Sequence, residues 1–128
     1  MEFSENKPIY LQLADQIMDR VECYELEPDM RLPSVREFAA LSGVNPNTVM
    51  RAYTWLQQEQ IIYNQRGVGF FIEHYARDRV ISMRREQFYA RDIPQFVNRM
   101  IALNVPPAVI EEKYYDVLRY RRIEKSKK

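Results

Sequence analysis

The residues of this 128-residue chain that could do chemistry are recognition residues, gathered in two short stretches. The first, NPNTVMR from Asn45 to Arg51, opens a helix. Asn47 and Thr48 fall in its first turn, where side chains and backbone N–H groups meet phosphates or base edges most readily. Arg51 follows one turn later on the same face. Its planar fork suits a bidentate contact with guanine and equally a phosphate, and spacing alone does not separate the two. Asn45 caps the helix and is counted with this set. The second stretch holds Arg66 and Gly67. An arginine can enter a narrow minor groove, where the negative potential is enhanced, and a glycine lets the backbone come close. The plainer readings are capping alone for Asn47 and Thr48, and a solvated turn for Arg66 and Gly67. Bond-breaking chemistry has no such foothold. One histidine, one cysteine and three glycines leave no nucleophile–base pair, metal cluster or phosphate-cradling loop. Glu111 and Glu112, adjacent on a helix, would point about 100° apart and read as a solvated face. No enzyme and no cofactor are expected.

Recognition residues need a rigid frame, and the local sequence supplies one. Ser34 and Glu37 have the S-x-x-E spacing of a capping box, so a short helix is predicted from Val35 to about Ser42. Gly43 can take the positive φ where that helix stops, and Val44 can anchor the turn in a core. Asn45 is a favoured N-cap, and Pro46 fits the first helical position because its N–H would have had no partner there. Val49, Ala52, Tyr53 and Leu56 then recur at helical spacing as an inward stripe, which leaves Asn47, Thr48, Arg51 and Trp55 on the opposite face. After Gln60 the period turns strand-like. Ile61, Ile62 and Tyr63 form one β-prone run and Phe70, Phe71 and Ile72 another, around a tight turn of Arg66, Gly67, Val68 and Gly69. Two short helices joined by a Gly-containing turn and followed by a hairpin make a winged helix-turn-helix. Tyr63, Phe70 and Phe71 read as core and hairpin packing rather than stacking platforms for single strands. Upstream, Ile9, Leu13, Ile17 and Val21, with Ala14 and Met18, stripe a first helix that starts at Pro8 and is ended by Glu27, Pro28 and Asp29. That stripe packs across the two motif helices, while Tyr10 and Gln12 are read as surface- or partner-facing. Met1 to Lys7 is polar and expected to fray.

The ordered run LPSVREFA, GVNPNTV, RAYTWL and RGVGFFI resembles the N-terminal DNA-binding domain of GntR-family bacterial transcription regulators, and NPNTV with RAY most resembles the YtrA-type branch. The resemblance covers Pro8 to Ile72 strongly and the remainder in outline. It implies that Arg36, the arginine of LPSVR, is used on DNA; a surface ion pair with Glu37 is the plainer account. Many family members carry arginine where this chain has Pro46 and Met50. Direct readout is therefore expected to fall on Asn47 and Arg51, and no operator is carried over.

Composition agrees with a folded protein. Hydrophobic residues make up 46% and charged residues 29%, outside the disordered range. No apolar run approaches the roughly 18 residues of a membrane span, and MEFSENK lacks the build of a secretory signal, so a cytoplasmic location is the default. Cys23, the single cysteine, reads as a small apolar group near a helix end. Residues 1–73 carry six basic against eleven acidic side chains, and residues 74–128 thirteen against seven. Asp15, Asp19, Glu22, Glu25, Glu27 and Asp29 precede the motif, whereas Arg31, Arg36, Arg51 and Arg66 lie within it, and a local basic face matters more for phosphate contact than the sum.

Two domains are expected: a winged helix-turn-helix over residues 1–75 and a helical tail over 76–128, in a fold that is mainly α with a small β-hairpin. In the tail a helix is predicted from Ala76 to about Asp92, with Val80 and Met83 on one side. Pro94 should break or kink it by disfavouring helical geometry at Ile93. A second segment runs from Gln95 to Leu103, with Asn104 as its stop. Pro106 and Pro107 open a third helix to about Arg122, and Glu124 to Lys128 is read as disordered. Such a tail is too small to bury much core alone. A homodimer through the C-terminal helices satisfies its apolar stripes and would set two reading helices about one DNA turn, roughly 34 Å, apart or at a multiple of it. The resemblance implies the same short dimerisation tail, smaller than the effector-binding domains of other branches, and leaves open whether a small-molecule effector exists. It further implies a repressor that blocks a promoter, of a transporter or envelope-related operon. The competing readings are a winged helix that binds protein instead of DNA and a sensor with a ligand between the tail helices.

Overall fold

In the computed structural model, which describes residues 7–127, the first helix, α1 (Ile9–Glu22), provides the floor of the N-terminal core. Leu13, Ala14, Ile17, Met18 and Val21 are all buried on one face, as their spacing predicts, whereas Ile9, the first residue of the expected stripe, is exposed at the helix start. They pack against Val49, Ala52, Tyr53 and Leu56 of α3 (Pro46–Gln58), with α2 (Val35–Ser42) alongside. Each of the buried Leu, Ile, Met and Val side chains is worth roughly 1.5–3 kcal/mol before chain entropy is set against it. Gln12 departs from its surface assignment. It is buried, and its Nε2 donates to the Lys7 carbonyl at 2.7 Å, so the amide is accommodated inside the fold. Tyr10 is half-buried against the core. Trp55, placed on the polar face of α3 by periodicity, is also half-buried against the core.

The helix α1 stops at Glu22, short of Glu27. Tyr24 takes φ 67° and the chain doubles back, with Tyr24 N–H donating to the Val21 carbonyl and Leu26 N–H to that of Arg20. The gain is burial of Leu26, 6% exposed, under the same core. Tertiary burial outweighs the cost of a left-handed tyrosine here.

Helix α2 carries the predicted capping box, with Ser34 Oγ accepting from Glu37 N–H at 3.1 Å and Glu37 Oε1 accepting from Ser34 N–H at 3.3 Å. Gly43 closes it at φ 72°. Strands β1 (Ile62–Gln65) and β2 (Gly69–Ile72) pair antiparallel, Ile62 opposite Ile72 and Gln65 opposite Gly69, so Gly69 belongs to the ladder and the turn is Arg66–Gly67–Val68. The segment before α2 adds to the hairpin an isolated antiparallel bridge that the sequence does not predict. Leu32 N–H donates to the Phe70 carbonyl, Ile72 N–H donates to that of Met30, and Arg31 bridges Phe71.

Helix α4 (Ala76–Gln87) buries Ala76 and Val80 in the N-terminal unit, which runs to Arg85; a second unit covers Glu86–Lys128. The expected break at Pro94 takes an unexpected form. Ile93 stays helical at φ −62°, ψ −50°, after a π-helical turn, Phe88–Asp92, in which Ile93 N–H reaches back to the Phe88 carbonyl. The wider turn puts Pro94 in the first turn of α5 (Ile93–Ala102), where its missing N–H leaves no bond unmade. Asn104, at φ 56°, is the predicted stop: its N–H bonds to Ile101 and that of Val105 to Met100, a Schellman closure. Helix α6 (Pro107–Ser126) outruns its expected end at Arg122, and Glu124, Lys125 and Ser126, read as disordered, are helical. Glu and Lys are good helix formers, no glycine or proline intervenes, and Lys125 complements the helix dipole. The fraying expected of Met1 to Lys7 lies, as far as Asn6, outside the described residues, as does Lys128.

Candidate nucleic-acid interface

Helix α3 is held by its inward face and by one polar anchor. Tyr53, fully buried, donates its hydroxyl to the Pro33 carbonyl at 2.6 Å and makes edge-on contacts with Phe38 and Phe70, their centroids 6.1 and 5.1 Å away. One side chain thus ties the helix to the loop before α2, to α2 itself and to the wing. Burial pushes the Tyr53 phenol far above its ordinary value, with the charge of Glu37 acting in the same direction, so it remains a donor.

At the start of α3 the backbone donors are already engaged. Asn45 Oδ1 accepts from Asn47 N–H at 2.8 Å, and the Asn45 carbonyl accepts from Thr48 and Val49 N–H. Pro46 has no N–H to offer. This helix end therefore presents side chains, not the open N–H groups that a helix start usually offers. Asn47 and Arg51 are exposed and share a face one turn apart, while Thr48 between them is half-buried. Arg51 is not loose: its guanidinium lies 4.3 Å over the Tyr10 ring of α1. This partner has no signature in the sequence, because it joins two helices about forty residues apart.

Arg36 is exposed in the first turn of α2. Its neighbour Glu37 is occupied by the capping box, and among the described residues the two form no ion pair. Arg66 and Gly67 stand apart from these, exposed at the tip of the wing. Gly67, at φ 78°, is the third residue of a turn closed by Val68 N–H on the Gln65 carbonyl, a position that favours glycine. Beside the wing, Tyr63 stacks on Phe71 and donates its hydroxyl to Asp29 Oδ1 at 2.9 Å; that hydrogen bond, before any other influence, raises the Tyr63 pKa. Among the described residues, no group of His, Cys, Asp and Glu could hold a metal ion.

The chain is similar to known regulators over this region and beyond. A family model described as bacterial regulatory proteins, gntR family, matches residues 9–72. The HTH-type transcriptional regulator YhcF of Bacillus subtilis is 38% identical over 104 residues, 81% of this chain and 84% of that protein. The HTH-type transcriptional repressor YtrA of the same organism is 39% identical over 74 residues, 58% of this chain and 57% of that one. Among solved structures, a GntR-family transcriptional regulator from Bacteroides thetaiotaomicron superposes with a TM-score of 0.74 at 39% identity, over 89% of this chain and 99% of that one.

Proposed function

The chain belongs to the gntR family of bacterial regulatory proteins and is a DNA-binding transcription regulator, and from that premise we propose that it is a homodimeric repressor of an inverted-repeat operator. Helix α3 enters the major groove, where Asn47 and Arg51 read base edges with Asn45 and Thr48 beside them. Arg36 contacts the backbone, and Arg66 and Gly67 approach the minor groove. The observation that carries this reading is the division of labour on α3. One face is buried to the last atom of Val49 and Leu56, the N–H donors of its first turn are all satisfied, and Asn47 and Arg51 are left as exposed donors.

The dimer rests on the tail. None of α5 and α6 is buried, and between them runs an apolar groove of about 750 Å³ lined by Phe96, Val97, Ile101, Ile110 and Tyr114. A unit this small gains a core by pairing with a second copy. Similarity to the repressor YtrA supports the sign of regulation. Among the described residues no helix is long and apolar enough to cross a membrane, and the cytoplasm is the proposed location.

Selection from a randomised duplex pool, followed by salt titration of the best site, tests the reading. An inverted repeat is expected, with half-sites about 10 bp apart or at a multiple, and log K falling with log salt at about −0.9 per neutralised phosphate. Arg51→Ala should relax preference at one base pair. No enrichment at low salt would sink the proposal.

A further inference from the structure

We propose that Arg31 is a second cation of the wing, its guanidinium carried along the exposed face of the sheet to bind a backbone phosphate of the DNA that Arg66 approaches at the tip. This rests on the DNA-binding reading above and adds to it a contact that spacing in the motif does not indicate.

The geometry begins with the bridge that joins the segment before α2 to the hairpin. Through the Leu32–Phe70 and Met30–Ile72 hydrogen bonds, residues 30–32 extend the hairpin, and the bridge sets Arg31 opposite Phe71. Side chains alternate across a sheet. Leu32 accordingly goes into the core, while Arg31 stays exposed on the face that carries the Tyr63–Phe71 stack. Gly69 is the next residue of β2 on that same face, one step towards the tip. A Cβ placed there would lie 3.0 Å from Arg31 Nε and 3.5 Å from its Nη2. The arginine side chain therefore runs over Gly69, in space that any other residue would fill.

Charge is available for a ligand. Among the described residues no carboxylate lies within ion-pair distance of Arg31. Asp29, two residues earlier in the chain, accepts the Tyr63 hydroxyl and faces His74 Nδ1 at 3.8 Å. A guanidinium laid against backbone has lost part of its freedom before binding, and its fork matches phosphate oxygens. Its place on the body of the wing, behind the tip residue Arg66, suits the sugar–phosphate rim of a groove more than its floor.

Anisotropy titrations of the full chain on its selected operator and on an unrelated duplex, across a salt series, test this. Arg31→Gln should weaken both by several-fold and make the salt dependence shallower by about one phosphate; Arg31→Lys should keep the slope. Urea unfolding of each variant verifies that the wing is intact. Unchanged affinity and slope in Arg31→Gln, with Arg51→Ala weakened in the same assay, would overturn the assignment and leave the DNA reading standing. A loss confined to the operator, with the slope retained, would also overturn it, in favour of base contact. Failure of the unsubstituted protein to bind any duplex would remove both.

Discussion

Arg51, the proposed reader of base edges, is held by a neighbour that need not touch DNA itself. The Tyr10 ring under its guanidinium restricts the side chain at a cost already met in the free protein, an interaction worth about 0.5–1 kcal/mol at an exposed site. Tyr10→Leu should therefore weaken operator binding by roughly two- to fivefold in an anisotropy titration, and Tyr10→Phe should bind as the unsubstituted protein does; equal affinities for all three would dismiss the ring as a support. Tyr53 acts in the core. In the folded chain its phenol holds its proton well above the ordinary 10.0, whereas in the unfolded chain it ionises there. The folded state then binds more protons, so the contribution of Tyr53 is whole below pH 10 and falls as pH rises beyond it. Urea unfolding between pH 8 and 11 should show this decline, and Tyr53→Phe should flatten it. The same substitution leaves the Pro33 carbonyl without its donor and should cost about 1–3 kcal/mol at neutral pH. Of these two tyrosines, Tyr53 is legible in sequence as part of an inward stripe. Its hydrogen bond and the Tyr10–Arg51 contact are not, because both join residues that only the fold brings together.

Among the elements, those whose ends are written in local chemistry were the readable ones. The capping box at Ser34, the left-handed Gly43 and the Asn45–Pro46 start all stand as their types predict. Ser34→Ala removes the acceptor for Glu37 N–H and should lower stability by about 1 kcal/mol in urea unfolding; no change in midpoint would show that water replaces the cap. The end of α1 was misread because the decisive residue is Leu26, whose burial is a property of the assembled core. Arg84 shows the same dependence on assembly. It joins α4 to α1 through Asp19 and Glu22, each at 2.8 Å, and through the Asp15 carbonyl. Burial works against its charge, yet hydrogen bonds to the two carboxylates outweigh this and raise its pKa. In the tail, proline chemistry correctly marked a disturbance near Ile93 but not its form, since a π turn and an extended residue both accommodate the ring.

For the whole molecule, the proposed dimer makes the tail the determinant of operator affinity. Ile101, 70% exposed on α5, should be indispensable to pairing and dispensable to the fold of the DNA-binding unit. Ile101→Asp is expected to convert a dimer to a monomer in sedimentation velocity and to abolish tight binding to the two-half-site operator, while a single half-site is bound as weakly as before. A monomer for the unsubstituted chain would defeat the dimer proposal directly. By itself the sequence determined the fold class, the order of helices and wing, and the face of α3 on which Asn47 and Arg51 lie. These follow from periodicity, capping and turn residues, which act over a few positions of chain. The tertiary structure alone decided what supports that face. It seated Arg51 on Tyr10, drew Arg31 onto the wing across Gly69, and put Gln12 inside. Each of these depends on distances between elements remote in sequence, and such distances are set by how buried side chains pack, not by the preferences of any one segment.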